Sequence, residues 1–322
     1  MARYNKSMSD SQQKAGETDL PPSNTSAGML TRRGFLAAAG LSTAGFVFYS
    51  GEIARHAIDI VERTVHIADL PAAFHGYRIV QLSDIHYDNF SEPGFIRHAV
   101  QQINALAPDL VLFTGDYITK APGIYTLGSE HAHLCAEILK DVACPQRYAI
   151  MGNHDAFVGA EIVARAMVAS GIPVLSDSYQ PIERDGQRLW LVGLKDASFD
   201  KNLPDLQAAT PPALPREPIL LMVHEPDYVD AILDSPLGQR TDLVFAGHSH
   251  GGQICMPVMG PVFLPPLGKK YVNGLFRFPA SGSGGGKIPQ LYVNRGLGTV
   301  GLPLRLNCPP EITMITLSAE AV

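Results

Sequence analysis

The chain has 322 residues, 46% of them hydrophobic and 17% charged. These are ordinary proportions for a globular α/β protein, with length enough for a sizeable core. Its formal charge is -6, from 25 Lys and Arg against 31 Asp and Glu, which argues against a nucleic-acid partner held by bulk electrostatics. The cysteines, Cys135, Cys144, Cys255 and Cys308, make no C-x-x-C pair, so a cysteine zinc site is not expected, while disulfides stay open.

Residues 1–30 are polar, rich in Ser, Gln, Gly and Pro, and read as disordered. The segment 31–54 begins Thr-Arg-Arg-Gly-Phe-Leu and carries no charge between Arg33 and Glu52. An arginine pair before a short, mildly apolar run resembles a twin-arginine export signal. The run reads as short for a spanning helix, which needs about 20 residues, yet it is compatible with an uncleaved anchor. The expected partners are therefore the twin-arginine export machinery and the membrane. The expected location is the cell envelope, membrane-associated or extracytoplasmic, with the inner face of the cytoplasmic membrane as the alternative.

Residues 55–322 read as one α/β domain. Alternating apolar positions in "IVERTVHIADLP" predict a first strand and "GYRIVQLSDIH" a second. Phe95, Ile96, Val100, Ile103 and Leu106 predict a helix over about 92–106. "DLVLFTGD" is a continuous apolar strand of the doubly buried kind. A helix over 129–142 follows, with Ser129 as its N-cap. Then come the strand "RYAIMGNHD", the helix "GAEIVARAMVAS", and strands near Gln180–Arg184 and at "RLWLVGL". "PILLMVHEP", a short helix, "DLVFAGHSH", "LYVNRGLG" and "EITMITL" complete the sequence of elements, and "PASGSGGGKIP" reads as a flexible loop.

Polar clusters stand where the apolar strands stop: Asp84 and His86, then Gly115 and Asp116, then Asn153, His154 and Asp155, then His224, then His248 and His250. Five of the 11 histidines lie in these clusters, which is not the pattern of random scatter. In an open α/β sheet the carboxyl ends of the strands build the ligand site. Asp84, His86, Asp116, Asn153, His224, His248 and His250 offer imidazole, carboxylate and amide donors and no thiolate. That is too many for one tetrahedral metal and enough for two metals of higher coordination. Asp84 and His86, like His248 and His250, are two apart and would point to one side of an extended segment. Two divalent ions about 3.5–4 Å apart clamp a phosphoryl group and activate hydroxide.

Asp-x-His, Gly-Asp, Gly-Asn-His-Asp, a lone His after a strand and Gly-His-x-His, in that order from Tyr77 to His250, resemble the calcineurin-like metallophosphoesterase superfamily. The arginine pair and the "NRGLGT…LPLR…PPEI" ending resemble its exported or membrane-associated bacterial branch, part of which is similar to UDP-2,3-diacylglucosamine pyrophosphatases. The resemblance implies an αββα sandwich of mixed sheets with a dinuclear site at the strand ends. It also implies a phosphoesterase acting on phosphodiester or pyrophosphate bonds, with a phosphomonoesterase or a non-catalytic metal-binding scaffold as alternatives. By this resemblance Asp84, His86 and His250 hold one divalent ion (Mn, Zn, Fe or Co), and Asn153, His224 and His248 the other. Asp116 bridges both, His154 is the catalytic histidine outside the ligand set, and Asp155 orients it. His131 and His133 read as surface residues, Asp196 as a turn residue, and Lys269, Lys270, Arg277 and Arg295 as a solvated loop rim, with contact to a substrate phosphate as the alternative. The apolar residues between Met256 and Pro289 read either as a rim for a lipid tail or membrane, or as a loop packed on the core.

Overall fold

The computed structural model describes residues 31–88, 92–119, 125–198, 203–214, 216–280 and 287–319. The expectation for 1–30, and most of that for the glycine-rich loop, fall outside them. The chain divides into two units, Met1–Ala44 and Gly45–Val322. Helix α1 (Arg32–Phe48) buries none of its residues. The helical path continues through a π-type turn at Tyr49–Ile53 and a tighter turn at Ala54–His56. The result is 25 helical residues, long and apolar enough to cross a membrane. The run is therefore not too short to span, because the turns past Tyr49 lengthen it beyond the stretch expected from composition.

The elements of the second unit follow in chain order. They are β1 (Asp59–His66), β2 (Arg78–Leu82), α2 (Pro93–Leu106), β3 (Leu110–Phe113), α3 (Tyr125–Leu139), β4 (Arg147–Ala149), α4 (Asn153–Ala169), β5 (Ser178–Arg184) and β6 (Gln187–Gly193). Then come β7 (Ile219–Met222), α5 (Val229–Leu233), β8 (Leu243–Ala246), β9 (Cys255–Met256), β10 (Gly260–Pro261), β11 (Gly274–Arg277), β12 (Gln290–Val293) and β13 (Glu311–Ser318). One sheet has the order β1-β13-β2-β3-β4, and a second the order β11-β12-β8-β7-β6-β5. Both are mixed. In the first, β13 runs antiparallel to β2; in the second, β11 and β5 are antiparallel edges on a parallel centre.

Period-two alternation sorts each strand's side chains into layers. Ile79, Leu110 and Leu112 of the first sheet meet Leu191, Leu220, Met222 and Phe245 of the second in a core between the sheets. Val80, Leu82, Val111 and Phe113 face the helical side with Ile96, Ile103, Ala136 and Val163. Val192, Leu221 and Val244 face the opposite side with Val229 and Ile232. These layers are the expected αββα sandwich. Polar ties cross it near the strand ends: Gln81 Nε2 donates to the Ala246 carbonyl at 2.9 Å, and Asn294 Nδ2 to Thr313 Oγ1 at 2.8 Å. They align the carboxyl ends of β2 and β3 with those of β7, β8 and β12.

Two helix boundaries differ from the sequence reading. Helix α3 starts at Tyr125, so Ser129 lies inside it rather than at its N-cap. Helix α4 starts at Asn153 instead of Gly159, and the strand before it ends at Ala149. Gly152 is the N-cap, and the Asp155 carboxylate accepts its N–H at 3.0 Å. Gly159, at φ 128°, kinks the helix, which is why its sequence reads as a start.

Candidate metal centre

Asp84 and His86 follow β2, Asp116 follows β3, Asn153 and His154 open α4, His224 follows β7, and His248 and His250 follow β8. The structure brings all of them together, and all but Asn153 and His154 are buried. Donor atoms of Asp84, His86 and His250 lie within 4.8 Å of one another, as do those of Asp116, His224 and His248. A third such group, His86, Asp116 and His154, overlaps both. His86 Nε2 is 3.0 Å from His250 Nε2 and 3.5 Å from Asp116 Oδ2, and His224 Nε2 is 3.2 Å from the same Asp116 oxygen.

The backbone that delivers these donors is not extended. Asp84, His86, Asp116, His248 and His250 all have φ between 51° and 67°. The expected side-sharing by strand alternation is thus replaced by left-handed residues at every second position, each costing about 1 kcal/mol or more. Hydrogen bonds hold them there. Asp84 and His86 donate their N–H groups to the carbonyls of Gly115 and Asp116 at 3.0 Å each. His248 donates its N–H to the Asp84 carboxylate at 3.0 and 3.1 Å, and His154 donates its own to Asp116 Oδ1 at 2.8 Å. A Cβ on Gly152 would collide with Asp116 Oδ1, so only glycine lets the two segments approach this closely.

Asp155 accepts from backbone amides, a role the sequence did not suggest. Its Oδ2 accepts from Asp116 N and Gly152 N, and its Oδ1 from Tyr117 N. The carboxylate positions the Asp116 turn through its backbone. The His154 ring is half-exposed and packs edge-on against His86 at 4.7 Å between centroids.

The electrostatics suit a cation. Burial, then neighbouring imidazoles, push His86 and His248 below the ordinary histidine range; burial and then the Arg305 charge do the same to His250. Neutral imidazoles keep a lone pair for a metal. At His224 burial opposes the charged form, but Asp116, Asp84 and Glu225 outweigh it and hold its pKa well above the usual value. Its Nδ1 lies 2.7 Å from the Thr114 carbonyl, which leaves Nε2 facing Asp116. Asn153 Oδ1 is buried with no hydrogen-bond partner among the described residues.

Asp116, Asn153, His154, His248 and His250 form the floor of a cleft of about 630 Å³ whose walls include Ile254, Val262, Phe263, Pro265, Pro266 and Leu302. The alternative of a phosphate-contacting rim is not built at this cleft. None of Lys269, Lys270, Arg277 and Arg295 lines this cleft; Lys270 pairs with Asp230, and Arg295 with Asp59 and Glu311. His133 is exposed as expected, but His131 is buried against the Tyr87 ring on the inner face of α3. Asp196, read as a turn residue, is buried and hydrogen-bonded to Ser198 and Glu225.

Arg305, quoted above only as part of the "LPLR" stretch, has a structural role the sequence did not suggest. It is fully buried and donates to the carbonyls of Arg295, Gly296, Gly298 and Cys308. This fixes the loop whose Leu297 and Gly298 N–H groups donate to the Ser83 and Asp84 carbonyls. A single arginine amid Pro and Leu reads as a surface residue, and only the lack of nearby acids hinted otherwise.

The description "Calcineurin-like phosphoesterase" matches residues 77–252 of the chain. The chain belongs to the calcineurin-like phosphoesterase family. It is 34% identical over 289 residues to the uncharacterized metallophosphoesterase YkuE of Bacillus subtilis, covering 89% of this chain and 94% of that one. It is 31% identical over 306 residues to the phosphodiesterase YaeI of Escherichia coli, covering 90% and 100%. It is 28% identical over 305 residues to the UDP-2,3-diacylglucosamine pyrophosphatase LpxG of Chlamydia trachomatis, covering 77% and 86%. As a member of this family the protein is a metal-dependent phosphoric ester hydrolase.

Replacing Arg305 by Met strips several carbonyls of a buried charged donor. The expected loss is about 3 kcal/mol or more in urea unfolding, with bound metal falling below that of the unmodified chain. Unchanged stability and metal content would show that the loop holds Asp84 without it.

Proposed function

We propose that the protein hydrolyses a phosphodiester or pyrophosphate bond in a lipid-linked envelope substrate, at a centre of two divalent ions. The observation that carries this reading is a pair of donor groups, Asp84, His86 and His250 beside Asp116, His224 and His248, with Asp116 Oδ2 3.5 Å from His86 Nε2, next to an apolar-walled cleft. Asp84, His86 and His250 would hold one ion, Asn153, His224 and His248 the other, and Asp116 both. The donor set fits: it joins imidazoles, those of His86, His248 and His250 held neutral, with carboxylates and the buried Asn153 oxygen, which has no hydrogen-bond partner among the described residues. All are nitrogen or oxygen donors, suited to Mn, Zn, Fe or Co. When bound, such ions supply Lewis acidity for the phosphoryl group and the attacking water.

The chain's own residues do the rest. His154 sits at the cleft with its backbone N–H on Asp116, which supports a role in giving a proton to the departing oxygen. Asp155 keeps the Asp116 turn in place. The apolar walls exclude water and accept hydrocarbon, which supports a lipid-bearing substrate. So does the name of the chlamydial relative, a pyrophosphatase of a diacylated UDP-sugar. The arginine pair and the 25-residue apolar helix support delivery to the cell envelope by the twin-arginine route, with that helix as signal or anchor.

His154→Ala should cut turnover of a diester with a poor alkoxide leaving group by about 10²-fold or more, and that of a nitrophenyl diester far less, with metal content unchanged. Equal losses on both would remove His154 from the proton-donating role. A diacylated UDP-sugar should exceed its deacylated form in kcat/KM by about tenfold or more. No preference for the acylated form would sink the lipid assignment.

Lys in place of both Arg32 and Arg33 should leave active protein in the soluble cytosolic fraction. Unchanged outward-facing protein in the envelope would rule out the twin-arginine route.

A further inference from the structure

The apolar residues between Met256 and Pro289 have two fates. Tyr271, Phe276 and Phe278 pack on one another and on the outer core of the second sheet. Val258, Met259, Val262 and Phe263, on the β9–β10 hairpin and the strand end after it, are exposed. Val258 is fully exposed and sits at φ 67°. A β-branched residue in that region is a steric outlier at a position where Asn or Gly would be relaxed. Neither packing nor backbone preference accounts for valine there; a need for an apolar tip does.

This rim is continuous with the point where the apolar N-terminal helix enters the domain. Ser50, near the end of that helix, is buried, and its carbonyl accepts the Arg305 N–H at 3.0 Å. The loop that ends at Arg305 carries the exposed Leu302. Gln253, at the root of the hairpin, staples the two: its Nε2 donates to the Leu302 carbonyl at 2.9 Å, and its Oε1 accepts the Val300 N–H at 2.8 Å. Val262, Phe263 and Leu302 then form the outer wall of the catalytic cleft.

We propose that the β9–β10 hairpin and Leu302 dock on the lipid bilayer that the N-terminal helix enters, so that the cleft opens onto the membrane and takes its substrate from the bilayer. The docking rests on the membrane role given above to that helix. A helix held in lipid up to Ser50 keeps the adjoining loop at the membrane surface, and the hairpin bonded to that loop presents its apolar tip there. Burying Val258 and Met259 in hydrocarbon contributes affinity that a water-exposed tip forgoes.

The test uses the full chain in phosphatidylcholine vesicles, with flotation reporting anchorage separately. Met259→Trp places a fluorophore at the tip; the native Trp190 is buried on β6. Acyl-brominated lipid should quench the Met259→Trp chain strongly and the unmodified chain little. The double variant Val258→Asn, Met259→Asn should still float and cleave a soluble nitrophenyl diester normally. Its turnover of a vesicle-borne diacylated UDP-sugar should fall about tenfold. A floating Met259→Trp chain that stays unquenched overturns the docking, and concentration-dependent dimerisation of that chain would assign the rim to a second copy. A chain that does not float contradicts the anchor, and with it the docking. Quenching without turnover of the lipid supports the docking and contradicts the substrate reading instead.

Discussion

The Asp116 carboxylate can serve two donor groups only because the segment from Gly152 to Asp155 closes around it at hydrogen-bond distance. Asp155 holds its backbone and that of Tyr117, His154 caps one of its oxygens through the main chain, and Gly152 leaves room for the contact. His224 reaches its other oxygen from the second sheet. The site is therefore a joint between two sheets, and its integrity depends on the sheets keeping their mutual alignment. Gln81, crossing from β2 to the Ala246 carbonyl, supplies part of that alignment from the buried layer just beneath.

The strain is concentrated at the same place. Five ligand candidates occupy left-handed conformations, which a chain keeps only when its surroundings over-determine them. Backbone bonds from one strand end to the next provide this, and Arg305 extends it by gathering the carbonyls of the loop that backs Asp84. Burial, and after it the charge of this same arginine, lowers the pKa of His250. One buried cation thus shapes the loop and adds to the burial that favours a neutral imidazole beside it.

Much of this was legible in the sequence. Each candidate ligand stands directly after a short apolar run, and strand ends are where an α/β sheet puts its chemistry. The order of motifs then identified the fold. Roles carried by the backbone were not legible. Nothing in Gly-Asn-His-Asp tells that Asp155 serves amide groups, because a carboxylate next to a histidine reads as its partner. The start of α4 was hidden by Gly159, which resembles a boundary but is a kink. Arg305 looks like any surface arginine until the loop folds around it. The run from Met256 to Pro289 has one composition and two fates, since hydrophobicity does not say whether a side chain meets a core or a membrane.

The central claim is that one carboxylate, Asp116, joins two groups of donors into a single dinuclear centre. Elemental analysis after reconstitution with Mn or Zn and removal of free metal tests it most directly, comparing the unmodified chain with Asp116→Ala. The account predicts about two ions per chain in the first and a loss of at least one in the second. One ion or fewer in the unmodified chain, or an Asp116→Ala chain that retains both, would contradict it.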